Sequence, residues 1–215
     1  MTPKALQLYD EFVHGRISRR EFSQRIATFA VAGITAESLI NALAPNSAWA
    51  QQIDPKDARN KTERFTYESP KEGGKITGLL ARPATDGTKF PAVLAFHENR
   101  SLNSYIEDGG ANELAVRLPD TILAAAPYYG RPPNVADVPK IKGSPLIHYA
   151  ETDARINLGR PAYEKALKEV GVKYEAQIYP GVNHAFHNDS TPRYDEAAAK
   201  LSWDCTIKFF KATLM

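Results

Sequence analysis

The stretch SPLIHYAETD, residues 144–153, decides the fold expected for this chain. It is an apolar run with one polar interruption at His148, and such a run predicts a strand buried on both faces of a sheet. The run ends in three polar residues, the last of which is Asp153. Because open α/β sheets place their functional residues where strands end, a site is expected at this point.

Further strands and helices are predicted on both sides of this stretch. Other buried strands are expected over FPAVLAFHE (90–98), TILAAAPYYG (121–130) and KYEAQIYPGVNH (173–184). Helices are expected over GANELAVRLPD (110–120), GRPAYEKALKEVG (159–171) and RYDEAAAKLSWDCTIKFFKATL (193–214). The alternating segments TERFTYES (62–69) and GKITGLLARP (74–83) predict an antiparallel hairpin. Strands that alternate with helices indicate an α/β fold with a mostly parallel sheet flanked by helices.

The composition limits the class of protein. The 215 residues are 43% hydrophobic and 24% charged, which suits one globular domain with a sizeable core. The formal net charge is +2 and no block of lysine and arginine occurs, so nucleic acid is not expected as a partner. Cys205 is the single cysteine, so no disulfide can form within the chain and the thiol content does not indicate a compartment.

The first 50 residues resemble a twin-arginine export signal. Arg19-Arg20 precede a moderately apolar run that ends in Ala48-Trp49-Ala50, a pattern that signal peptidase accepts. The run contains charged and polar residues and is too short to span a bilayer stably. We therefore predict a signal over residues 1–50, a periplasmic location and a single domain over residues 51–215. The alternative is an amphipathic helix at the start of a cytoplasmic protein.

Two polar residues that follow successive strands suggest catalysis. Asp153 follows one predicted strand and His184 follows the next, which is the order of the acid and the base in an α/β-hydrolase triad. A metal site is the alternative, because His184, His187 and Asp189 lie close together in sequence. A zinc ion would need a further ligand, and His97 or His148 would have to supply it. We predict no metal and no cofactor.

Several segments carry a resemblance to a known family. PAVLAFHENR, APYYGR, LIHYAETDARIN and AYEKALKEVGVKYEAQIYPGVNHAFHNDSTPRYDEAAAKLSW are similar to the dienelactone hydrolase family of α/β-hydrolases. The resemblance implies hydrolysis of a small ester or lactone by a cysteine, rarely a serine, in a G-x-C-x-G-G turn. It implies that His184 is the base and that Asp153 fixes its tautomer. It also implies that Glu98 holds the resting nucleophile and that the backbone N–H of Asn99 stabilises the oxyanion.

The chain departs from the family pattern in SYIEDGGANELAVRLPD, residues 104–120. No G-x-C-x-G or G-x-S-x-G occurs in the sequence, and Gly109-Gly110 look like the last two glycines of the family's nucleophile turn. We interpret this as an internal deletion of two strand–helix units, roughly 60 residues at ~30 residues per unit. A reduced sheet is expected, in which PAVLAFH and TILAAAPYY become parallel neighbours.

No other residue is a convincing nucleophile. Cys205 is expected to pack in the core on a helix face shared with Leu201 and Phe209, and Ser101 and Ser104 lack a strained turn. The chain is therefore predicted to be a weak or inactive hydrolase, and the alternative is a non-catalytic protein, either one that binds small molecules or a remnant of the enzyme (a pseudoenzyme). Three arginines in the loops near the strand ends could pair with a substrate carboxylate, namely Arg131, Arg155 and Arg193.

Overall fold

A computed structural model describes residues 3–13, 16–30, 35–43, 54, 57–69, 74–85, 89–95 and 110–215. The predicted site residues Glu98 and Asn99 lie outside the described residues. His97, Ser101, Ser104 and Gly109 lie outside them as well.

The N-terminal segment forms helices with a small core of their own. They are α1 (Pro3–Val13), α2 (Arg19–Ile26), a 3₁₀ turn (Ala27–Phe29) and α3 (Ala36–Leu43). A capping box between Ser18 and Glu21 starts α2, since each side chain accepts the other residue's backbone N–H. The rings of Phe12 and Phe22 stack with their centroids 4.6 Å apart. Within the described part of the chain, no helix is long and apolar enough to cross a membrane.

The predicted antiparallel hairpin is present. It consists of β1 (Asn60–Glu68) and β2 (Lys75–Pro83), with Thr66 opposite Thr77. The hydroxyl oxygens of these two threonines lie 3.1 Å apart. Most side chains of both strands are exposed, so the pairing depends on backbone hydrogen bonds and cross-strand contacts.

The C-terminal half contains a three-stranded parallel sheet in the order β3-β4-β5. The strands are β3 (Ala124–Ala125), β4 (Ser144–Ala150) and β5 (Glu175–Tyr179). The helices are α4 (Gly110–Arg117), α5 (Ala154–Asn157), α6 (Arg160–Glu169) and α7 (Glu196–Leu214), with a 3₁₀ helix at Val135–Lys140. Helices between parallel strands confirm the predicted α/β class.

The central strand β4 is buried from Pro145 to Ala150, as the continuous run of mostly apolar residues predicted. Ile147 and Tyr149 on this strand have no exposed surface and pack in the larger core cluster. The other members include helix residues and loop residues: Ala115, Val116, Ala125, Val138, Ile141, Ile156, Tyr163, Ala166 and Leu167. The main core therefore lies between β4 and the helices around it.

Glycines and a cap define the ends of these elements. A Cβ on Gly143 would lie 2.2 Å from the carbonyl oxygen of Ile122, so only glycine lets the chain enter β4 beside β3. Gly171, at φ 73°, follows α6 in the left-handed conformation, as its position after the apolar pattern predicted. The Asp195 carboxylate accepts the N–H of Ala198 and starts α7.

The predicted pairing of PAVLAFH with TILAAAPYY is wrong for the residues described. Residues 91–95 form no strand, and Val93 and Leu94 are 61% and 67% exposed. β3 spans only two residues, and Pro127 just beyond it has no N–H to donate. An edge this short offers few backbone groups to a further strand.

The predicted buried face of the last helix also needs correction. Leu201 is 57% exposed and Cys205 is half-buried, whereas the buried residues of α7 are Ala198, Ala199, Ser202 and Thr206. Small side chains lie on this face because α7 packs directly against β3 and β4.

His148 forms a buried polar network between β4 and α7. Its Nδ1 lies 2.8 Å from the Tyr179 hydroxyl and its Nε2 lies 2.9 Å from the Thr206 hydroxyl. The Tyr128 hydroxyl lies 2.8 Å from the same Thr206 oxygen. Burial, followed by the neighbouring His187, lowers the pKa of His148 to about 4. The ring is therefore neutral at neutral pH and satisfies both nitrogens inside the core.

We expect the free energy of unfolding to decrease as the pH falls from 6.5 to 4. The unfolded chain protonates His148 at its ordinary pKa of 6.5, whereas the folded ring stays neutral down to about 4. This stabilisation is complete above pH 6.5, and its full loss amounts to on the order of 3 kcal/mol. Urea denaturation at several pH values would measure it.

The control for this measurement is His148→Gln, which removes the titrating group but keeps hydrogen-bonding capacity. Carboxylates titrate alike in both proteins, so the difference between the two pH profiles reports His148. Parallel profiles would contradict the assignment.

Candidate active site

Asp153 is held at the carboxyl end of β4 by the turn that leads into α5. One carboxylate oxygen, Oδ1, accepts the backbone N–H of Ile156 at 3.2 Å and caps α5. The Asn157 side chain donates to the carbonyl oxygens of Ala150 and Glu151, which braces the same turn. Asp153 is 5% exposed. Its second oxygen, Oδ2, is directed towards the loop that follows β5.

The loop after β5 is tied to the loop after β4 by hydrogen bonds that extend the parallel pairing. The Thr152 N–H and hydroxyl both donate to the Val182 carbonyl, at 3.1 and 2.8 Å. The Glu151 carboxylate accepts the N–H of Gly181 at 2.7 Å. These contacts fix the position of the residues immediately before His184.

His184 completes an acid–histidine pair. Its Nδ1 lies 2.6 Å from Asp153 Oδ2, and its side chain is 12% exposed. A neutral imidazole that donates from Nδ1 to the carboxylate has its lone pair on Nε2. The backbone N–H of His184 donates to the Asn183 side chain at 2.7 Å, and Ala185 follows at φ 67°. The distance between the two side chains therefore matches that between a general base and its orienting acid.

The three predicted arginines lie in different surroundings. Arg155 is at the pair, with its Nη2 3.5 Å from His184 Nδ1. Arg131 is exposed, and its carbonyl oxygen accepts the side-chain amide of Asn112. The Arg193 guanidinium lies 5.7 Å from the centre of the Tyr9 ring on α1. Of the three, Arg155 is the one that the structure places beside the acid–histidine pair.

His187 lies in an aromatic environment rather than in a group of metal ligands. Its ring centroid is 4.7 Å from that of Tyr128 and 6.1 Å from that of Trp203. Among the described residues, no three histidine, cysteine or acidic side chains are grouped so that they could hold a metal ion.

Sequence reasoning missed three residues that shape this site. Tyr129 packs its ring against His184, Glu151 connects the two loops, and Asn157 braces the turn before Asp153. Glu151 and Asn157 belong to the same polar cluster as Asp153, so their proximity to it was visible in the sequence. The orientation of Tyr129 had no comparable signal.

An acid–histidine pair at the carboxyl edge of a parallel sheet is the arrangement found in α/β-hydrolases. Comparison with known proteins agrees. Residues 109–214 match the sequence model of the Dienelactone hydrolase family, and residues 1–31 match that of a YqhI-like family. The chain is 35% identical over 177 residues to a "Putative carboxymethylenebutenolidase" from Saccharolobus solfataricus, covering 76% of this chain and 67% of that protein. The chain belongs to the dienelactone hydrolase family.

Two further similarities cover smaller parts of the chain. The "Putative hydrolase fragment YghX" of Escherichia coli is 45% identical over 75 residues, or 35% of this chain and 64% of that protein. The crystal structure of a "Putative Dienelactone Hydrolase" from Klebsiella pneumoniae is 25% identical with a TM-score of 0.44, over 47% of this chain and 46% of that one. This chain thus spans about two thirds or less of the length of these relatives.

We expect Asp153→Asn to change the tautomer of His184. Asp153 Oδ1 accepts the Ile156 N–H, so the amide oxygen of the variant should stay there and its NH₂ group should face Nδ1. Two donors cannot share a hydrogen bond, and the ring proton should move to Nε2. Nitrogen-15 NMR of the histidine rings would detect the change.

Asp153→Ala is compared with Asp153→Asn in the free energy of unfolding, because both variants remove the carboxylate but only asparagine can still cap α5. Asparagine caps a helix about as well as aspartate, whereas alanine costs about 1 kcal/mol of unfolding free energy. A ring that still carries its proton on Nδ1 in Asp153→Asn would contradict the geometry described.

Proposed function

We propose that this protein is a slow hydrolase of small esters or lactones in which the Asp153–His184 pair activates water. The observation that supports this is the 2.6 Å contact between Asp153 Oδ2 and His184 Nδ1 at the carboxyl edge of the sheet. The sequence contains no G-x-C-x-G or G-x-S-x-G turn, so water is the nucleophile that this proposal requires.

The proposed reaction requires the His184 tautomer whose Nδ1 donates its proton to Asp153. The lone pair on Nε2 accepts a proton from water as the water oxygen attacks the ester or lactone carbonyl carbon. The imidazolium formed is stabilised by the Asp153 carboxylate beside Nδ1. It then returns the proton to the leaving oxygen as the carbon–oxygen bond breaks. By the family resemblance, the N–H of Asn99 would stabilise the oxyanion.

Arg155 extends the proposal to the substrate class. Its Nη2 lies 3.5 Å from His184 Nδ1, and we propose that an arginine this close to the pair forms charge-assisted hydrogen bonds with a carboxylate on the substrate. We therefore favour carboxylated esters and lactones over neutral ones.

The alternative function is binding of the same ligands without turnover, which requires the site but no nucleophile.

The hydrolase proposal is tested with p-nitrophenyl acetate and a carboxylated lactone. We expect slow turnover that falls about 100-fold or more in His184→Ala, because general base catalysis contributes about 10²- to 10⁴-fold. His187→Ala is the matched control, since its ring contacts Tyr128 instead, and it should keep most of the rate. Equal rates in His184→Ala and the unaltered protein would refute the catalytic role. Thermal stabilisation by the lactone without turnover would favour the binding alternative.

We also propose export through a twin-arginine signal. The motif Ser18-Arg19-Arg20 begins α2, and both arginines are exposed there. The double variant Arg19→Lys, Arg20→Lys should prevent periplasmic delivery of a fused reporter in a bacterial host. Arg25→Lys is the control, because lysine can still pair with Glu11, which lies 3.1 Å from the arginine. Unchanged delivery of the double variant would count against this route.

A further inference from the structure

Tyr129 has an unusual backbone conformation next to the candidate base. It follows β3 at φ 38°, a region that bulky side chains seldom adopt. Its N–H donates to the His148 carbonyl at 2.7 Å, and the His148 N–H donates to the Pro127 carbonyl at 2.9 Å. Hydrogen bonds to β4 on both sides of Tyr128 therefore hold this segment, so the surrounding structure maintains the conformation of Tyr129.

The two neighbouring tyrosines face different histidines. The Tyr128 ring lies 4.3 Å from the ring of His148 in the buried polar network. The Tyr129 ring lies 4.7 Å from the ring of His184, with an interplanar angle of 55°. Tyr129 is 5% exposed, and its ring also meets Phe186 edge-on at 5.6 Å. It therefore forms a buried apolar wall on one side of the imidazole.

A second unusual conformation lies on the other element of the site. Ala185, the residue after His184, has φ 67° and is 1% exposed. Strained residues thus occur in both loops that meet at the imidazole, one of them directly after it and the other in contact with its ring. Clustering of such residues is characteristic of sites where the fold maintains a defined geometry.

We propose that Tyr129 is the positioning residue for His184. Its ring limits rotation of the imidazole about χ2 and keeps water away from the hydrogen bond between Nδ1 and Asp153. The aromatic ring provides this function and the hydroxyl does not. The inference rests on the proposed role of His184 as a base, but its structural part can be measured without catalysis.

The test compares variants that separate the ring from the backbone conformation. Tyr129→Asn and Tyr129→Leu remove the ring, and asparagine tolerates positive φ. Tyr129→Phe keeps the ring and should behave as the unaltered protein. Tyr128→Leu removes the neighbouring ring, which contacts His148 and His187 instead. Far-UV circular dichroism would establish that each variant is folded.

The first readout is the proton NMR signal of the hydrogen on His184 Nδ1. A proton shared with a buried carboxylate resonates far downfield, and its loss in His184→Ala assigns it. We expect it to broaden or vanish by exchange with water in both ring-removing variants, and to persist in Tyr129→Phe and Tyr128→Leu. A signal that persists unchanged in folded Tyr129→Asn or Tyr129→Leu would overturn the proposal.

The second readout is the kcat and KM of ester hydrolysis. The ring-removing variants should lose about 10- to 100-fold in kcat with little change in KM, because misplacement of a catalytic group affects the chemical step. Tyr129→Phe should retain the kcat of the unaltered protein. If the unaltered protein shows no hydrolysis, the proposed function fails while the NMR signal still decides the role of Tyr129. A normal rate in both ring-removing variants would overturn that role.

Discussion

The pairing of β4 with β5 is the constraint on which the rest of the site depends. Five residues of each strand are in register, from Leu146 opposite Glu175 to Ala150 opposite Tyr179. The register brings the loop after β4 level with the loop after β5, and the Glu151 and Thr152 hydrogen bonds continue it beyond the strands. A shift of one residue would turn the side chains of β5 to the opposite face and separate Asp153 from His184.

The core supports this register with polar as well as apolar contacts. His148 on β4 bonds to Tyr179 on β5 and to Thr206 on α7, so a single side chain links three elements. An apolar residue in its place would leave the two hydroxyl groups without this partner in a buried region. Because a buried network demands specific partners, it favours one alignment of these elements over others of similar hydrophobicity.

The sequence predicted the parts of the fold that local patterns determine. The apolar run of β4, the alternating hairpin and the helix α7 all follow from the spacing of apolar residues and from turn residues. Local patterns did not predict that β3 would be short or that residues 91–95 would form no strand. Strand formation also depends on a neighbouring strand, which no local pattern reveals. The buried face of α7 was missed for a related reason, since close packing against the sheet favoured small residues over Leu201.

The sequence likewise predicted some features of the candidate site and not others. The order of Asp153 and His184 along successive strands was visible in the sequence, whereas the contact between Tyr129 and His184 depends on a backbone conformation that tyrosine rarely adopts. The partners of Arg131 and Arg193 were equally invisible, because a loop arginine can reach several partners and only the packed structure shows which it contacts. The Arg193 guanidinium, for example, lies over the ring of Tyr9, more than 180 positions earlier in the chain.

The acid and the base lie after adjacent strands, and hydrogen bonds between the loops after these two strands hold both of them. Asp153 is fixed by the turn into α5, and the loop that carries His184 is hydrogen-bonded to the loop after β4. The ring of Tyr129, which follows β3, packs against the imidazole as well. In an α/β-hydrolase the nucleophile turn precedes the acid in the chain and comes from a different strand. The geometry of the base can therefore be complete whether or not that turn is present. In the proposed reaction the pair activates water, and the expected rate then depends on how firmly the imidazole is held.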